Sequence, residues 1–171
     1  MPRPNPIARF TRNLPPGQLC WIGLRAARRA PVTVVSEAAA QAGRGLVGDH
    51  RADKTPGSGR QITLISREFI DQAAHYLGRD SIDPALLRRN LVIAGVNLHL
   101  LRHQPFRIGD VRLQAGALCH PCSRMEEALG SGGVAAMYGH GGLCCRVLND
   151  GILRVGDAVT VVTDPVDDLF D

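Results

Sequence analysis

Short apolar runs alternate with polar residues along most of the chain, and Gly, Asp and Pro punctuate them. "QLCWIGLR" (18–25) and "PVTVVSEA" (31–38) read as strands; the second is β-branched and bounded by Pro31. Residues 41–60 are rich in Gly and charge and predict a long exposed loop, a length at which loops commonly carry function. "RQITLIS" (60–66) reads as another strand. Ser66 then opens a helix, because Phe69, Ile70, Ala73, Ala74 and Leu77 recur at helical spacing before Gly78 stops it. "DPALLRR" (83–89) predicts a short helix with Pro84 in its first turn.

From Asn90 onward the pattern is mostly β. "NLVIAG" (90–95) reads as a buried strand. Gly109-Asp110 predicts a hairpin between "PFRI" and "VRLQAG". Asp150-Gly151 in "NDG" predicts a type I′ hairpin between "LCCRVL" and "ILRVG", and Gly156-Asp157 predicts a further turn before "AVTVV". Ser123 and Glu126 form an S-x-x-E capping box that starts a helix, which sets Cys122 just before the cap. No solenoid repeat and no long linker occur. The expected fold class is mostly β with a few helices (α+β), built as a closed or partly closed β-barrel. A proline-rich N-terminal arm over 1–17 and an acidic tail over 164–171 flank the body.

The length suits one domain with a sizeable core, and 44% hydrophobic with 21% charged residues is ordinary for a globular protein. No apolar run approaches the ~18 residues of a membrane span, so no membrane association is expected. The N-terminus lacks the apolar segment of a secretory signal. With five cysteines, two of them adjacent, reduced thiols and a cytoplasmic location follow. Nineteen of the 20 basic residues are arginine, leaving Lys54 as the single lysine, at a net charge of +4. That bias reflects either base composition or anion binding, since guanidinium groups grip phosphate and carboxylate in pairs. Scattered basic residues and only seven aromatics give no nucleic-acid-binding signature.

The chemistry gathers at "CHPCSRME" (119–126). A helix N-terminus and Arg124 would favour thiolate at Cys122, which makes it a candidate nucleophile or metal ligand; a small residue packed before a cap is the plain alternative. Cys119, His120, Cys122, His140, Cys144 and Cys145 include enough soft donors for zinc, but Cys144 and Cys145 must point to opposite faces of a strand. A Cys122–histidine triad has no supporting spacing. There is no P-loop, no dinucleotide glycine motif and no G-x-S-x-G. Pyridoxal phosphate is not expected, because Lys54 in a polar loop is the only lysine.

"GLVGDHR" (45–51), "RQITLIS" (60–66), "LLRRNLVIAGVNL" (86–98), "FRIGDVRLQAG" (106–116), "CHPCSRME" (119–126) and "RVLNDGILRVGDAV" (146–159) occur in this order and together resemble a MOSC domain. The resemblance spans 18–163. Such domains end the molybdenum cofactor sulfurases, occur in amidoxime-reducing proteins, and stand alone in small bacterial proteins. The resemblance implies a barrel-like fold and a molybdenum cofactor (molybdopterin) whose metal takes a thiolate from Cys122, in the "PC" position. It matches Arg88 and Asn90 to an Arg-x-Asn motif that holds the cofactor. It also sets Asp49, Arg60 and His120 at the same pocket. Read from the residues alone, Arg88 equally suits a solvated helix face, Asn90 a turn, Asp49 a turn and Arg60 an exposed strand start. Cys119 would either resolve a persulfide on Cys122 or pack as a small residue, and His140 either donates to substrate or sits in a surface loop.

The implied activity is a molybdenum-cofactor-dependent oxidoreductase that reduces N-hydroxylated small molecules by oxo transfer. The alternative is a sulfur carrier, with a persulfide on Cys122, or a cofactor-binding module. The partners would be a small-molecule substrate and an external electron donor or sulfur donor protein, because five cysteines lack ferredoxin spacing.

Overall fold

The computed structural model describes residues 6–102 and 104–162. In chain order the elements are β1 (Gly17–Leu24), β2 (Thr33–Val35), β3 (Glu37–Gln41), β4 (Gly45–Leu46), β5 (Ile62–Ser66), α1 (Arg67–Tyr76), β6 (Leu91–Ala94), β7 (Pro105–Ile108) and β8 (Val111–Leu118). Then follow α2 (Ser123–Leu129), α3 (Gly133–Met137), β9 (Leu143–Val147), β10 (Gly151–Arg154) and β11 (Ala158–Val161). Seven strands close a ring in the order β1-β11-β7-β8-β9-β5-β6, and β6 pairs with β1 to complete it. β5 and β6 are parallel and the other ring pairs antiparallel. The mostly-β expectation holds, and the barrel is closed rather than partly open.

Side-chain alternation explains why these residues take these strands. Ile62 and Leu64 of β5, and Leu91 and Ile93 of β6, fill the barrel with Leu19, Phe106, Leu113 and Cys145. The intervening Ile65 and Val92 face outward, into a second core with Ile70, Ala73 and Ala74 of α1, Met125 of α2 and Met137 of α3. The β5–β6 pair is therefore buried on both faces, as parallel strands with a helical crossover usually are. Ser66 caps α1, its Oγ accepting from Phe69 N at 3.1 Å, as its place before the apolar stripe predicts.

Four expectations are corrected. The single strand expected over 31–38 is two: the chain bends at Ser36, β2 stays on β1, and β3 leaves to pair with β10. The loop over 41–60 is not wholly exposed, because β4 and a 3-10 turn (His50–Asp53) bury Leu46, Asp49 and Ala52. The "NDG" turn does not make a hairpin. Neither Asp150 nor Gly151 takes the positive φ that a type I′ turn needs, and β10 joins β3 instead of β9. The turn at Gly156-Asp157 likewise separates sheets, with β11 pairing to β1 and β7. Asn149 and Asp150 use their side chains as pins: Asn149 Oδ1 accepts from Arg112 N at 2.7 Å and Asp150 Oδ1 from Ala42 N at 2.8 Å. Finally, Ser123 is not the cap of α2. Cys122 holds the cap position without a side-chain bond, and Glu126 reaches forward to accept from Gly132 N and Val134 N at the start of α3. Those two bonds hold its carboxyl below the usual carboxylate range. The expected tail over 164–171 lies outside the described residues.

Candidate functional site

At the edge of the barrel, beside the start of α2, a cavity of about 420 Å³ collects the chain's cations. Eight arginines and Lys54 line it, together with Cys122, His50 and Met125, and no carboxylate does. The arginines arrive from four places. Arg25, Arg28 and Arg29 follow β1; Arg51 and Arg60 belong to the 41–60 segment; Arg88 and Arg89 precede β6. Arg124 belongs to the first turn of α2.

Two features set this cavity apart from a solvated basic surface. The first is strain. Among the described residues, the non-glycine residues with positive φ are Arg29 at 68° and Arg88 at 58°, and both line it. A left-handed backbone costs a side-chain-bearing residue about 1–2 kcal/mol and survives where the surroundings impose it. The second is orphaned charge. Arg88 Nε and Nη2 and Arg51 Nε are buried with no hydrogen-bond partner. A buried guanidinium without an acceptor is costly. Burial pulls Arg25 down to about 10, against the opposing pull of Asp49. Burial, then the neighbouring Arg60, lowers Arg51 as well.

Asp49 and Asn90 form the frame beneath. Asn90 Nδ2 donates to Asp49 Oδ2 at 2.9 Å and to the Gly23 carbonyl at 3.2 Å. Asn90 Oδ1 accepts from Thr63 N at 3.1 Å. Asp49 Oδ2 also accepts from Arg25 N, and its Oδ1 from Arg51 N, both at 3.0 Å. One buried pair thus ties the ends of β1, β5, β6 and the 41–60 segment, and it fixes the backbone of two cavity arginines. Neither side chain lines the cavity itself. Arg89 is spent on structure too: Nε donates to the Gly141 carbonyl at 2.7 Å and Nη1 to the Leu87 carbonyl at 2.8 Å.

Cys122 is exposed on the wall of this cavity, beside Arg88 and Arg124. His120 is exposed and lines neither this cavity nor the one beyond Arg60. Cys119 is buried, within hydrogen-bonding reach of Cys144, and Arg60 Nη2 lies 3.6 Å from its Sγ. The Cys144 thiol, then the charges of Arg89, Arg60 and Arg51, bring Cys119 down to about 5 against the cost of burial. Cys144, as the donor, is pushed up, and burial pushes Cys145 up. Among the described residues no three His, Cys, Asp or Glu side chains gather as a metal site, so the zinc alternative has no cluster to rest on. His140 is half-buried, its ring edge-on to Phe69 at 4.8 Å between centroids and its Nδ1 against the Tyr138 carbonyl.

The sequence reading singled out Arg60, Arg88 and Cys122, and the fold brings all three to one cavity. It missed Arg25, Arg28, Arg29 and Arg51. The available signal was their clustering: "RAARR" directly after a strand, and Arg51 just past the Gly48-Asp49 turn.

The MOSC domain model matches residues 49–160, well over half of the chain. The chain belongs to the MOSC domain family. Its barrel extends beyond the matched segment, since β1 lies before it. This MOSC protein is similar in fold to the YuaD protein from Bacillus subtilis, at a TM-score of 0.72 and 19% identity over 86% of this chain and 96% of that one. YiiM from Geobacillus stearothermophilus gives 0.69 and 17% identity, over 86% and 76% of the two chains. YiiM from Escherichia coli gives 0.61 and 18%, over 86% and 70%. At these identities the likeness is one of fold. No curated protein matches the chain significantly.

Proposed function

We propose that this MOSC protein binds a molybdenum–pterin cofactor in the arginine cavity, with Cys122 as the thiolate ligand of the metal, and reduces N-hydroxylated small molecules. The observation that carries the reading is the pairing of orphaned guanidinium groups with an exposed thiol on one wall. The residues fit the group. A phosphate would take the unpartnered Nε and Nη2 of Arg88 and the Nε of Arg51 as charge-assisted donors. A soft thiolate suits the metal end. When bound, the cofactor supplies the oxo-transfer chemistry; the protein binds and orients it and tunes its charge. Arg88 would do the gripping, because its buried Nε and Nη2 are unpartnered and it lines the cavity. Asp49 and Asn90 hold Arg25 and Arg51 in register without touching the ligand themselves.

Sulfur carriage through Cys122 draws less support. The thiol that would resolve a persulfide, Cys119, is buried against Cys144 and Arg60.

The test is elemental analysis of wild type and Cys122→Ala, both produced in a host that makes the cofactor. Molybdenum near one per chain in wild type and its loss from the variant are expected. Wild type without molybdenum, or a variant that keeps it, would overturn the assignment.

A further inference from the structure

A second cavity, of about 850 Å³, lies against the first, and Arg60 lines both. It sits on the outer face of the barrel wall. Cys144 and Arg146 of β9 line it, while the alternate residues Leu143, Cys145 and Val147 point into the barrel core. β8 lines it from Gln114 to Leu118. A bulge between Ala115 and Leu118 opens this stretch: the register passes from Ala115–Cys145 to Leu118–Leu143, one residue more on β8 than on β9. Ala115 turns its side chain into the barrel core, so the floor is Gly116, Ala117 and Leu118, with Gln114 beside Arg146 at its edge. A side chain begun at Gly116 would meet nothing within 4 Å, and Gly116 does not have positive φ.

The rim is cationic. Arg60 stands at one end, on the boundary with the first cavity. Arg146 leans over the loop at Gly59, its Nε and Nη2 each 3.9 Å from where a side chain there would start. No acidic residue lines the space. An apolar floor under two guanidinium groups selects a ligand with an apolar body and an anionic head.

We propose that this second cavity is the substrate chamber and that it selects small organic carboxylates, the carboxylate held between Arg60 and Arg146 and the apolar body resting on Gly116, Ala117 and Leu118. The substrate assignment rests on the cofactor reading above; the carboxylate preference stands on the cavity alone. Under both, the substrate class is an N-hydroxylated compound that carries a carboxylate.

Benzoate and benzamide, of the same shape and different charge, are the probes, with inorganic phosphate as the probe of the first cavity. Binding to the full chain is followed by titration calorimetry. Benzoate is expected to bind about tenfold or more tightly than benzamide, the difference expected of a hydrogen-bonded charge. Gly116→Leu, which fills open space without backbone strain, should weaken benzoate about tenfold or more and leave phosphate binding and the melting temperature unchanged. Arg146→Gln should erase the preference for benzoate over benzamide. Equal binding of the two probes would overturn the proposal. So would benzoate binding that survives Gly116→Leu and is displaced by phosphate, because that places it in the first cavity. The two readings fail separately. Molybdenum at one per chain without a benzoate preference overturns only the chamber, whereas a benzoate preference in protein without molybdenum leaves the carboxylate site standing and overturns the cofactor reading, and with it the substrate assignment.

Discussion

Cys119 shows how far position changes one residue's chemistry. Its neighbours in sequence make it half of a Cys-x-x-Cys pair with Cys122, but its neighbours in space are Cys144 and Arg60. A thiol donated by Cys144 and three guanidinium charges favour its thiolate, lowering it to about 5 from the ordinary thiol range. The folded form therefore binds fewer protons at this site than the unfolded chain between about pH 5 and the ordinary thiol value. Stability rises with pH across that window and is lost as pH falls through about 5. Above the ordinary thiol value the raised Cys144 works the other way, since the unfolded chain then loses a proton that the fold retains. The melting temperature of wild type should climb from pH 5 towards pH 9, and Cys119→Ser should flatten that slope. An unchanged slope in the variant would mean that the thiolate is not there.

At the scale of elements, the site depends on close backbone approach as much as on side chains. β9 reaches β5 and β8 through Gly141-Gly142. A Cβ on Gly142 would lie 2.1 Å from the Leu64 carbonyl oxygen at a φ of 104°, and one on Gly141 would lie 2.2 Å from the Cys119 carbonyl oxygen. Gly142→Ala therefore has no unstrained solution and should cost about 3 kcal/mol or more, read as a lower denaturation midpoint. Because β9 carries Cys144 and Arg146, the same change should also loosen the second cavity. Nothing local in "HGGLCC" demands two glycines. Their necessity comes from strands that pair only in three dimensions.

Across the whole molecule, charge is unevenly distributed. Eight arginines of a chain with a net charge of only +4 converge on one cavity, so the field there far exceeds what the composition suggests. An anion that binds the folded form stabilises it by RT ln(1 + [L]/Kd), about 2.7 kcal/mol at one hundred times Kd. Inorganic phosphate should thus raise the melting temperature of cofactor-free protein in proportion to the logarithm of its concentration. Arg88→Gln together with Arg51→Gln should abolish the shift, and sodium chloride at equal ionic strength should not reproduce it. A rise that persists in the double variant would place the anion elsewhere.

Most of the fold was legible in the sequence, because strand alternation, the apolar stripe of α1 and the Ser66 cap are short-range patterns that survive folding. So were Cys122, Arg88 and Arg60 as candidates, because an ordered set of motifs carries them. The partners of β3, β10 and β11 were not legible: "NDG" and Gly156-Asp157 look locally like Gly109-Asp110, which does make the β7–β8 hairpin, yet the chain uses them to change sheets. Nor was the buried Asp49–Asn90 pair, whose members lie 41 residues apart. What the sequence by itself determined was the barrel-forming periodicity, the family and the short list of reactive side chains. What only the tertiary structure decided was the company each keeps. Arginines from four separate segments share one cavity, and Cys119 answers to Cys144 rather than to Cys122, because ring closure sets which strand ends meet and no local pattern encodes that distance.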